Sequence, residues 1–425
     1  MTAPAPNSIV GHKLQALDGL RAIAIILVFL HHMRGHIPVV DQFTLCLSRC
    51  VGQGWIGVDL FFVLSGFLIT GILLDTRGAN NYFSGFYARR ILRIFPLYYV
   101  VLTSMIIVGR LVNSARLMAI LPLPQDRWLY YCYLTNWLGL WKAHYGPNCL
   151  AHFWSLAVEE QFYLIWPLIV WLVRPRMIPW VAGGLAAVAA VVRVIWVAHS
   201  GAQQAILMAT VCRLDELFAG ALCAFLFRNP EHMLKVRKWL PGIASLALGS
   251  FFGILSGMLF FQHRLLAWLS GPSPAGHTLD GAVLLFVECG GFVLLALGFG
   301  AIVLLAAHTD GKETWMQKFL TSRVLAPIGA YSYGIYVFHV PILGMASIFV
   351  FPGIARGIHS YEELFISEGT YILVVAAVTF VVSALSYEFF EKKILRFKRY
   401  FEAKYSPALK TTEWDDGATA TETAA

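Results

Sequence analysis

Charged side chains are scarce in this chain. Asp, Glu, Lys and Arg make up 13% of its 425 residues, about half of the roughly one quarter that is usual in soluble domains. This scarcity excludes an ordinary soluble globular protein. Hydrophobic residues account for 58% of the sequence and fall in long runs. The composition therefore predicts a polytopic membrane protein.

The sequence also lacks the common signatures of metal and nucleotide sites. Its seven cysteines show no spacing typical of a zinc site or a disulfide framework. It has no glycine-rich phosphate loop and no second soluble domain. We therefore predict no metal and no permanently bound cofactor. The cysteines are expected to be buried free thiols, with one disulfide on the outer side as the alternative, formed among Cys46, Cys50, Cys132 and Cys149.

Ten apolar segments are long enough to cross the hydrocarbon core of a bilayer, which takes about 20 residues. They are residues 17–37, 51–74, 91–112, 153–173, 178–198, 204–227, 240–261, 281–307, 327–350 and 370–391. No small-residue cleavage site follows the first segment, so we interpret it as a retained signal anchor. The predicted fold is an all-α membrane bundle of about ten transmembrane helices.

The aromatic segment 127–143 decides the predicted topology. If it does not span, 21 of the 32 Lys and Arg residues lie on one side of the membrane and 8 on the other. Counting it as a span would invert every later loop and remove this bias, which marks the cytoplasmic side. We therefore predict that 127–143 is interfacial or re-entrant and that both termini are cytoplasmic.

Three regions follow from this topology. Residues 1–16 form a cytoplasmic segment, 17–391 the membrane domain and 392–425 a cytoplasmic tail. The basic stretch KKILRFKRYFEAK is expected to lie on anionic lipid headgroups, and the acidic remainder is expected to be disordered. The net charge of +8 reflects this arrangement and does not indicate nucleic-acid binding.

The first apolar segment, LDGLRAIAIILVFLHH, carries Arg21 near its start and His31 and His32 near its end. Ionisable residues inside a membrane helix are candidates for a functional site. Eleven residues of helix separate Arg21 from His32 by about 16 Å. This is comparable to the reach of an extended cofactor arm.

Three more arginines stand before the third segment, in YARRILRIFPLYY. Arg89 and Arg93 share one helix face, and Arg90 lies about 100° away. Guanidinium groups bind phosphate through paired hydrogen bonds. Together with Arg21, the cluster predicts a site for a multiply phosphorylated cytoplasmic ligand. Ordinary positive-inside topology is the alternative for each arginine taken singly.

Two carboxylates are expected near His32. The motif HFWSLAVEEQFYLIWP places Glu159 on one helix face with Ser155 and Tyr163, and GVDLFFVLSGFL places Asp59 at similar depth. A carboxylate beside an imidazole fixes its tautomer and raises its basicity. Structural pairing of each carboxylate with an arginine is the alternative.

The ninth segment carries a further stripe, in which Ser332, Tyr336 and His339 follow helical spacing. His339 is an alternative to His32 as catalytic base. The competing interpretation is a neutral histidine hydrogen bonded to a tyrosine. Trp154, from the fourth segment, is one more site candidate.

Arg213 is the last candidate, and it stands beside two carboxylates in RLDELFAG. We expect Arg213, Asp215 and Glu216, with Glu388 and Glu391 of the last segment, to form structural ion pairs that neutralise one another. A catalytic or binding role for Arg213 is the alternative.

Six motifs in order resemble the acyltransferase-3 family, whose members are integral-membrane O-acyltransferases that modify bacterial polysaccharides, lipopolysaccharide and other hydroxylated acceptors. The resemblance runs from about residue 14 to about 395. Arg21 and His32 match the family's pattern of Arg, ten residues and His. The six motifs are LDGLRAIAIILVFLHH, GVDLFFVLSGFL, RRILRIFPLYY, FWSLAVEEQFYL, RLDELFAG and YSYGIYVFH.

The resemblance implies a multi-pass enzyme of the bacterial cytoplasmic membrane that takes acyl-CoA, most commonly acetyl-CoA, from the cytoplasm. It implies that His32 is essential and that Arg21, Arg89, Arg90 and Arg93 bind the donor. The acceptor is expected to be a hydroxyl of a carbohydrate, a glycolipid or a small molecule. Longer members add a soluble SGNH-type domain, which we do not find, so direct acylation at the membrane is expected.

The expected mechanism has His32, oriented by Glu159 or Asp59, take a proton from the acceptor hydroxyl as it attacks the thioester. A covalent acyl-histidine is the variant. A proton-coupled transporter is the alternative function, because intramembrane His, Glu and Arg also form proton relays. The internal repeats and paired broken helices common in transporters are not found. A non-catalytic receptor or scaffold leaves Arg21 and His32 unexplained.

Overall fold

The structure is a computed structural model that describes residues 14–112, 114–138, 148–199, 208–260, 286–350 and 361–405. Within these ranges the chain is helical and contains no β-strand, which confirms the predicted all-α class. Residues 1–13, 139–143 and 406–425, on which parts of the predicted organisation rest, lie outside the described residues.

Eleven long helices build the described part of the chain. They are α1 Gln15–Met33, α2 Gln42–Gly52, α3 Ile56–Thr76, α4 Tyr82–Val112, α5 Phe153–Leu172, α6 Ile178–His199, α7 Leu214–Arg228, α8 Leu240–Phe260, α9 Phe292–Thr309, α10 Ser332–Met345 and α11 Tyr361–Ser386. All except α2 coincide with one of the ten predicted spans.

Eight helical segments of the described residues are long and apolar enough to cross a membrane. The predicted spans outside this set are α5 and α7. Helix α5 contains the polar run Glu159, Glu160 and Gln161, which lowers its hydropathy, and α7 has 15 residues. The polar run explains why α5 is a weaker membrane helix by composition, and the short length explains why α7 is a weaker one.

The described part of 127–143 forms short turns and no long helix. A helix over Arg127–Tyr131 is followed by a turn over Thr135–Trp137. This conformation agrees with the prediction of an interfacial or re-entrant segment. The four cysteines expected on the outer side, Cys46, Cys50, Cys132 and Cys149, are free thiols. Cys149 is buried as expected, whereas Cys50 and Cys132 are exposed.

Helix α1 lies inside the bundle and packs against α3, α9, α10 and the short helix Leu325–Ala330. Glycines allow the closest of these approaches. A Cβ atom at Gly57 would collide with the carbonyl oxygen of Ala24, and one at Gly329 with that of Asp18. Small residues let membrane helices pack at such short range. The first turn and the middle of α1 are therefore held firmly against neighbouring helices.

Buried ion pairs join α3, α6 and α7. Arg213 contacts the Asp59 carboxylate and lies 3.5 Å from that of Glu216. Arg193 donates to both carboxylate oxygens of Asp215, at 2.9 and 2.7 Å. The expected pairing of Arg213 with Glu216 is confirmed, while Asp215 has Arg193 as its partner.

The two glutamates of the last segment have other partners. Glu388 pairs with Lys392 at 2.7 Å, and Glu391 accepts a hydrogen bond from Ser386 at 3.3 Å. These contacts are local to the end of α11 and the turn after it. Glu388 and Glu391 therefore do not belong to the Arg213 network.

We expect Arg213→Met to lower the free energy of unfolding by about 3–5 kcal/mol, because it leaves two buried carboxylates without their cation. Adding Asp59→Asn should restore part of that loss. The measurement is thermal or denaturant unfolding of the purified protein in detergent. Lys318→Met, which breaks the exposed pair with Glu313, should have no measurable effect. Equal unfolding of Arg213→Met and wild type would contradict the structural role.

Candidate functional site

Helix α1 carries both ends of the candidate site. It runs without interruption from Gln15 to Met33, so Arg21 and His32 are separated by about three turns and lie on the same side of the helix, about 16 Å apart. This arrangement confirms that the two residues share one helix. They face the same flank of α1.

A basic cavity of about 340 Å³ lies at the Arg21 end. The predicted arginines come together there, and one carboxylate is present in the described lining, that of Asp18, which accepts a hydrogen bond from Arg21 at 2.8 Å. The cationic lining residues are Arg21, Arg89, Arg90, Arg93 and Lys398. Five cations beside one carboxylate give this cavity a strong excess of positive charge.

The arginines of α4 are held by contacts within the bundle. Arg89 donates from Nε to the carbonyl oxygen of Gly85 at 3.0 Å. The guanidinium of Arg90 lies 5.9 Å from the ring centre of Phe86 and 5.5 Å from that of Tyr163, which is cation–π distance. These contacts orient the guanidinium groups and leave donors for an anionic ligand.

A second cavity of about 110 Å³ shares Arg21, Arg90 and Arg93 with the first. It extends between α3, α5 and α10, and hydroxyl groups and the Glu159 carboxylate line it. These polar lining residues are Ser65, Ser155, Glu159, Tyr163, Ser332, Tyr333 and Tyr336. The shared arginines place the two cavities side by side, and together these outline a path from the basic end into the bundle.

The path reaches Tyr336 and Ser155. The Tyr336 hydroxyl donates to the backbone carbonyl of His152 at 2.7 Å. Since a tyrosine has one hydroxyl proton, the Ser155 hydroxyl is the donor in the 2.5 Å bond between Ser155 and Tyr336. The Tyr336 ring lies 5.3 Å from the His152 ring. Tyr336 thus connects the second cavity to a group of histidines.

His32, His152 and His339 form this histidine cluster. The His339 ring centre lies 4.8 Å from that of His32 and 4.9 Å from that of His152. His152 and His339 are buried. The sequence analysis did not identify His152, although it begins the HFWSLAVEEQFYLIWP motif, because that motif was interpreted through its carboxylates.

Backbone contacts fix the tautomers of two of these histidines. His32 Nδ1 lies 2.9 Å from the carbonyl oxygen of Val28, and His339 Nδ1 lies 2.7 Å from that of Tyr336. A carbonyl oxygen only accepts, so Nδ1 carries the proton in both neutral rings. His339 Nε2 is then unprotonated and lies 3.3 Å from His32 Nδ1, so the Nδ1 proton of His32 is shared between the Val28 carbonyl and His339 in a bifurcated hydrogen bond. His32 Nε2 is left as the unprotonated nitrogen, with no hydrogen-bond partner in the described chain.

The expected contact between His32 and a carboxylate is corrected by these distances. Asp59 is paired with Arg213, and Glu159 accepts from Ser65 at 2.8 Å and from Tyr163 at 3.0 Å. Similar depth in the membrane does not determine the direction in which a side chain points around its helix. The side chain hydrogen bonded to His32 is another imidazole, that of His339.

Two other candidates lie away from the path. Trp154, Phe62 and Phe292 surround the Arg213 guanidinium, with their ring centres 5.8, 5.4 and 4.0 Å from it. Arg213 and Trp154 therefore belong to the ion-pair network of the fold. His339 bonds to the backbone carbonyl of Tyr336 and not to its hydroxyl, as the sequence interpretation supposed.

Comparison with known proteins identifies the family of this chain. A family model described as an acyltransferase domain matches residues 14–388. Peptidoglycan O-acetyltransferase OatA of Listeria monocytogenes is 30% identical over 405 residues, 91% of this chain and 57% of that protein. The putative peptidoglycan O-acetyltransferase YrhL of Bacillus subtilis is 27% identical over 407 residues, 90% of this chain and 56% of that protein.

O-acetyltransferase OatA of Staphylococcus aureus is 26% identical over 343 residues, 78% of this chain and 50% of that protein. The chain thus spans about half the length of the curated relatives it matches. No solved structure matches it significantly. Its membrane-crossing helices and bacterial relatives indicate a multi-pass protein of the cytoplasmic membrane. Since the family match covers most of its length, the chain belongs to the acyltransferase-3 family.

Proposed function

We propose that this protein is a membrane O-acyltransferase that moves an acyl group, with acetyl as the first candidate, from cytoplasmic acyl-CoA to a hydroxyl of a glycan acceptor. The observation that carries the proposal is the alignment of the basic cavity, the adjoining second cavity that shares Arg21, Arg90 and Arg93 with it, and Tyr336 beside the histidine cluster. The names of the relatives support acetyl transfer and a peptidoglycan-type acceptor.

The charge of the basic cavity suits the nucleotide part of coenzyme A. That part carries a pyrophosphate and a 3′-phosphate, and arginine binds phosphate through paired, charge-assisted hydrogen bonds. The pantetheine arm is long, narrow and uncharged, which fits the smaller second cavity. With the phosphates held near Arg21, the arm has about 16 Å of α1 to cover before it reaches His32.

The histidine cluster supplies the chemistry. His32 Nε2 removes the proton of the acceptor hydroxyl as its oxygen attacks the thioester carbonyl carbon. A carbon–oxygen bond forms, the carbon–sulfur bond breaks, and the departing CoA thiolate takes the proton from the His32 imidazolium. The products are an ester and free CoA. Direct attack of Nε2 on the thioester, giving an acyl-histidine that the acceptor then attacks, is the variant with the same geometry.

His339 acts on His32 as a positioning residue. Its Nε2 accepts from His32 Nδ1, which keeps the basic lone pair of His32 on Nε2 and stabilises the positive charge when that nitrogen is protonated. A carboxylate has this task in many hydrolases. Here a neutral imidazole, itself fixed by the Tyr336 carbonyl, takes that place.

His32→Ala should lower acetyl transfer from labelled acetyl-CoA to the glycan fraction by at least about a hundredfold, because a general base contributes at least that much. The amount and unfolding temperature of the membrane protein should not change. The control is His31→Ala, which removes the neighbouring imidazole that contacts the Gly52 carbonyl and should keep most activity. Transfer by His32→Ala at the wild-type rate would reject His32 as base. Equal release of CoA in membranes that contain the wild-type protein and in membranes that lack it would favour a transporter.

Two substitutions at His339 separate positioning from packing. His339→Gln retains an oxygen that accepts from His32 Nδ1, whereas His339→Leu does not. We expect kcat to fall in the order wild type, His339→Gln, His339→Leu, by about tenfold or more for leucine, with the KM for acetyl-CoA unchanged. Steady-state kinetics in nanodiscs provides the measurement. Equal kcat values for the two variants would contradict the positioning role.

Arg89→Ala should raise the KM for acetyl-CoA by about tenfold and change kcat little, because phosphate anchoring is shared by ground and transition states. The matched control is Arg116→Ala, which removes an exposed arginine outside both cavities. The same assay measures both variants. An unchanged KM for Arg89→Ala would assign that arginine to the fold instead of the donor site.

A further inference from the structure

The chain after α11 turns back to the basic cavity. A short helix over Lys392–Leu395 leads into a turn over Arg396–Phe401. In that turn the Lys398 side chain is half-buried and lines the cavity, whereas Arg396 and Arg399 are exposed. Lipid headgroups are the predicted partners of this whole basic stretch, whereas Lys398 lies against the basic cavity instead.

Hydrogen bonds tie this segment to the loop between α3 and α4. The Asn80 backbone N–H donates to the Lys404 carbonyl, the Lys404 N–H donates to the Asn81 side-chain oxygen, and the Asn81 amide donates to the Glu402 carbonyl, each at 2.8 Å. The Tyr405 hydroxyl donates to the Asp75 carbonyl at 2.9 Å. These four contacts fix residues 402–405, which follow Lys398 in the chain, so Lys398 lies between them and α11.

The tail also packs closely on α4. A Cβ atom at Gly85 would lie 3.2 Å from the carbonyl oxygen of Phe401, so the absence of a side chain there allows the turn to approach the helix. Gly85 is also the carbonyl partner of Arg89. The segment is therefore held at both ends and against the helix that supplies three of the cavity's arginines.

The position of Lys398 raises the free energy of the folded protein unless an anion lies in the cavity. Lys398 adds a fifth basic side chain to a lining that holds four arginines and the Asp18 carboxylate, and like charges at short range repel. Lysine also loses much side-chain freedom when it is confined. A polyphosphate in the cavity would turn this repulsion into attraction.

We propose that Lys398 is a phosphate-binding residue of the basic cavity and that the tethered residues 401–405 hold it in the wall of that site. The ligand class is a polyphosphate, and its identification as the nucleotide part of acyl-CoA rests on the proposed function. The alternative source of phosphate is a lipid headgroup. The exposed Arg396 and Arg399 remain available to the membrane surface.

The test measures the Kd of CoA for the full-length protein in nanodiscs of neutral phosphatidylcholine. Lys398→Gln should weaken CoA binding by about tenfold, the loss of one charge-assisted contact. Lys398→Arg should retain most of the affinity. Arg396→Gln removes the same charge from the same turn but faces outward, and should stay within about twofold of wild type.

A second variant tests the wall. Asn81→Ala removes two of the hydrogen bonds that hold the segment, so it should weaken CoA binding in the same direction. The loss of CoA binding free energy in the double variant Asn81→Ala/Lys398→Gln should be smaller than the sum of the losses in the two single variants, because both substitutions act on one contact. Full additivity would overturn the claim that the tether acts through Lys398.

The outcomes distinguish this inference from the proposed function. Equal CoA affinity of Lys398→Gln and wild type overturns the inference, and so does a loss that appears only in nanodiscs containing anionic phosphatidylglycerol, which assigns Lys398 to lipid. If wild type does not bind CoA, the donor proposal fails. Pyrophosphate is then the probe: Lys398-dependent binding of pyrophosphate upholds the anion site, and no binding overturns it.

Discussion

The geometry of one helix sets the dimensions of the site. Arg21 and His32 lie on the same side of α1 about three turns apart, and backbone contacts at Gly57 and Gly329 hold that helix inside the bundle. A change in the position of α1 would move the basic cavity and the histidine cluster together. The fixed separation between an anion site and an imidazole base is therefore a property of secondary structure, supported by close packing, and the other helices complete each end.

The cations inside the described bundle have two different environments. Arg193 and Arg213 have carboxylate partners within the bundle and join helices, as expected for ions that must be neutralised where water is absent. The basic cavity, by contrast, holds cations in excess over the carboxylate of Asp18. An excess of this kind is unfavourable in the empty protein and favourable when an anion binds. The number of carboxylates beside each group of arginines thus distinguishes the arginines that stabilise the fold from those available to bind an anion.

The sequence predicted what depends on local spacing. Membrane segments follow from apolar length, and the arginine cluster follows from neighbouring positions on α4. The partner of His32 could not be predicted, because His339 is 307 residues away and its contact depends on how α1 and α10 are arranged laterally. The predicted contact between Asp59 and His32 was wrong for the same reason, because the depth of a residue in the membrane does not determine the direction in which its side chain points around the helix. The inward position of Lys398 depends on a chain reversal that basic composition does not reveal.

The central claim is that one donor molecule occupies both cavities, with phosphates at the arginines and its acyl group at His32. A cryo-EM structure with a non-hydrolysable acetyl-CoA analogue, whose thioester sulfur is replaced by a methylene group, tests this directly. We expect phosphate density against Arg21, Arg89 and Arg93. We also expect the ketone carbon either within about 3.5 Å of His32 Nε2, or separated from it only by the space that the acceptor hydroxyl would occupy. Density for the analogue outside the basic cavity, or an acyl end that stays among the arginines, would contradict the account.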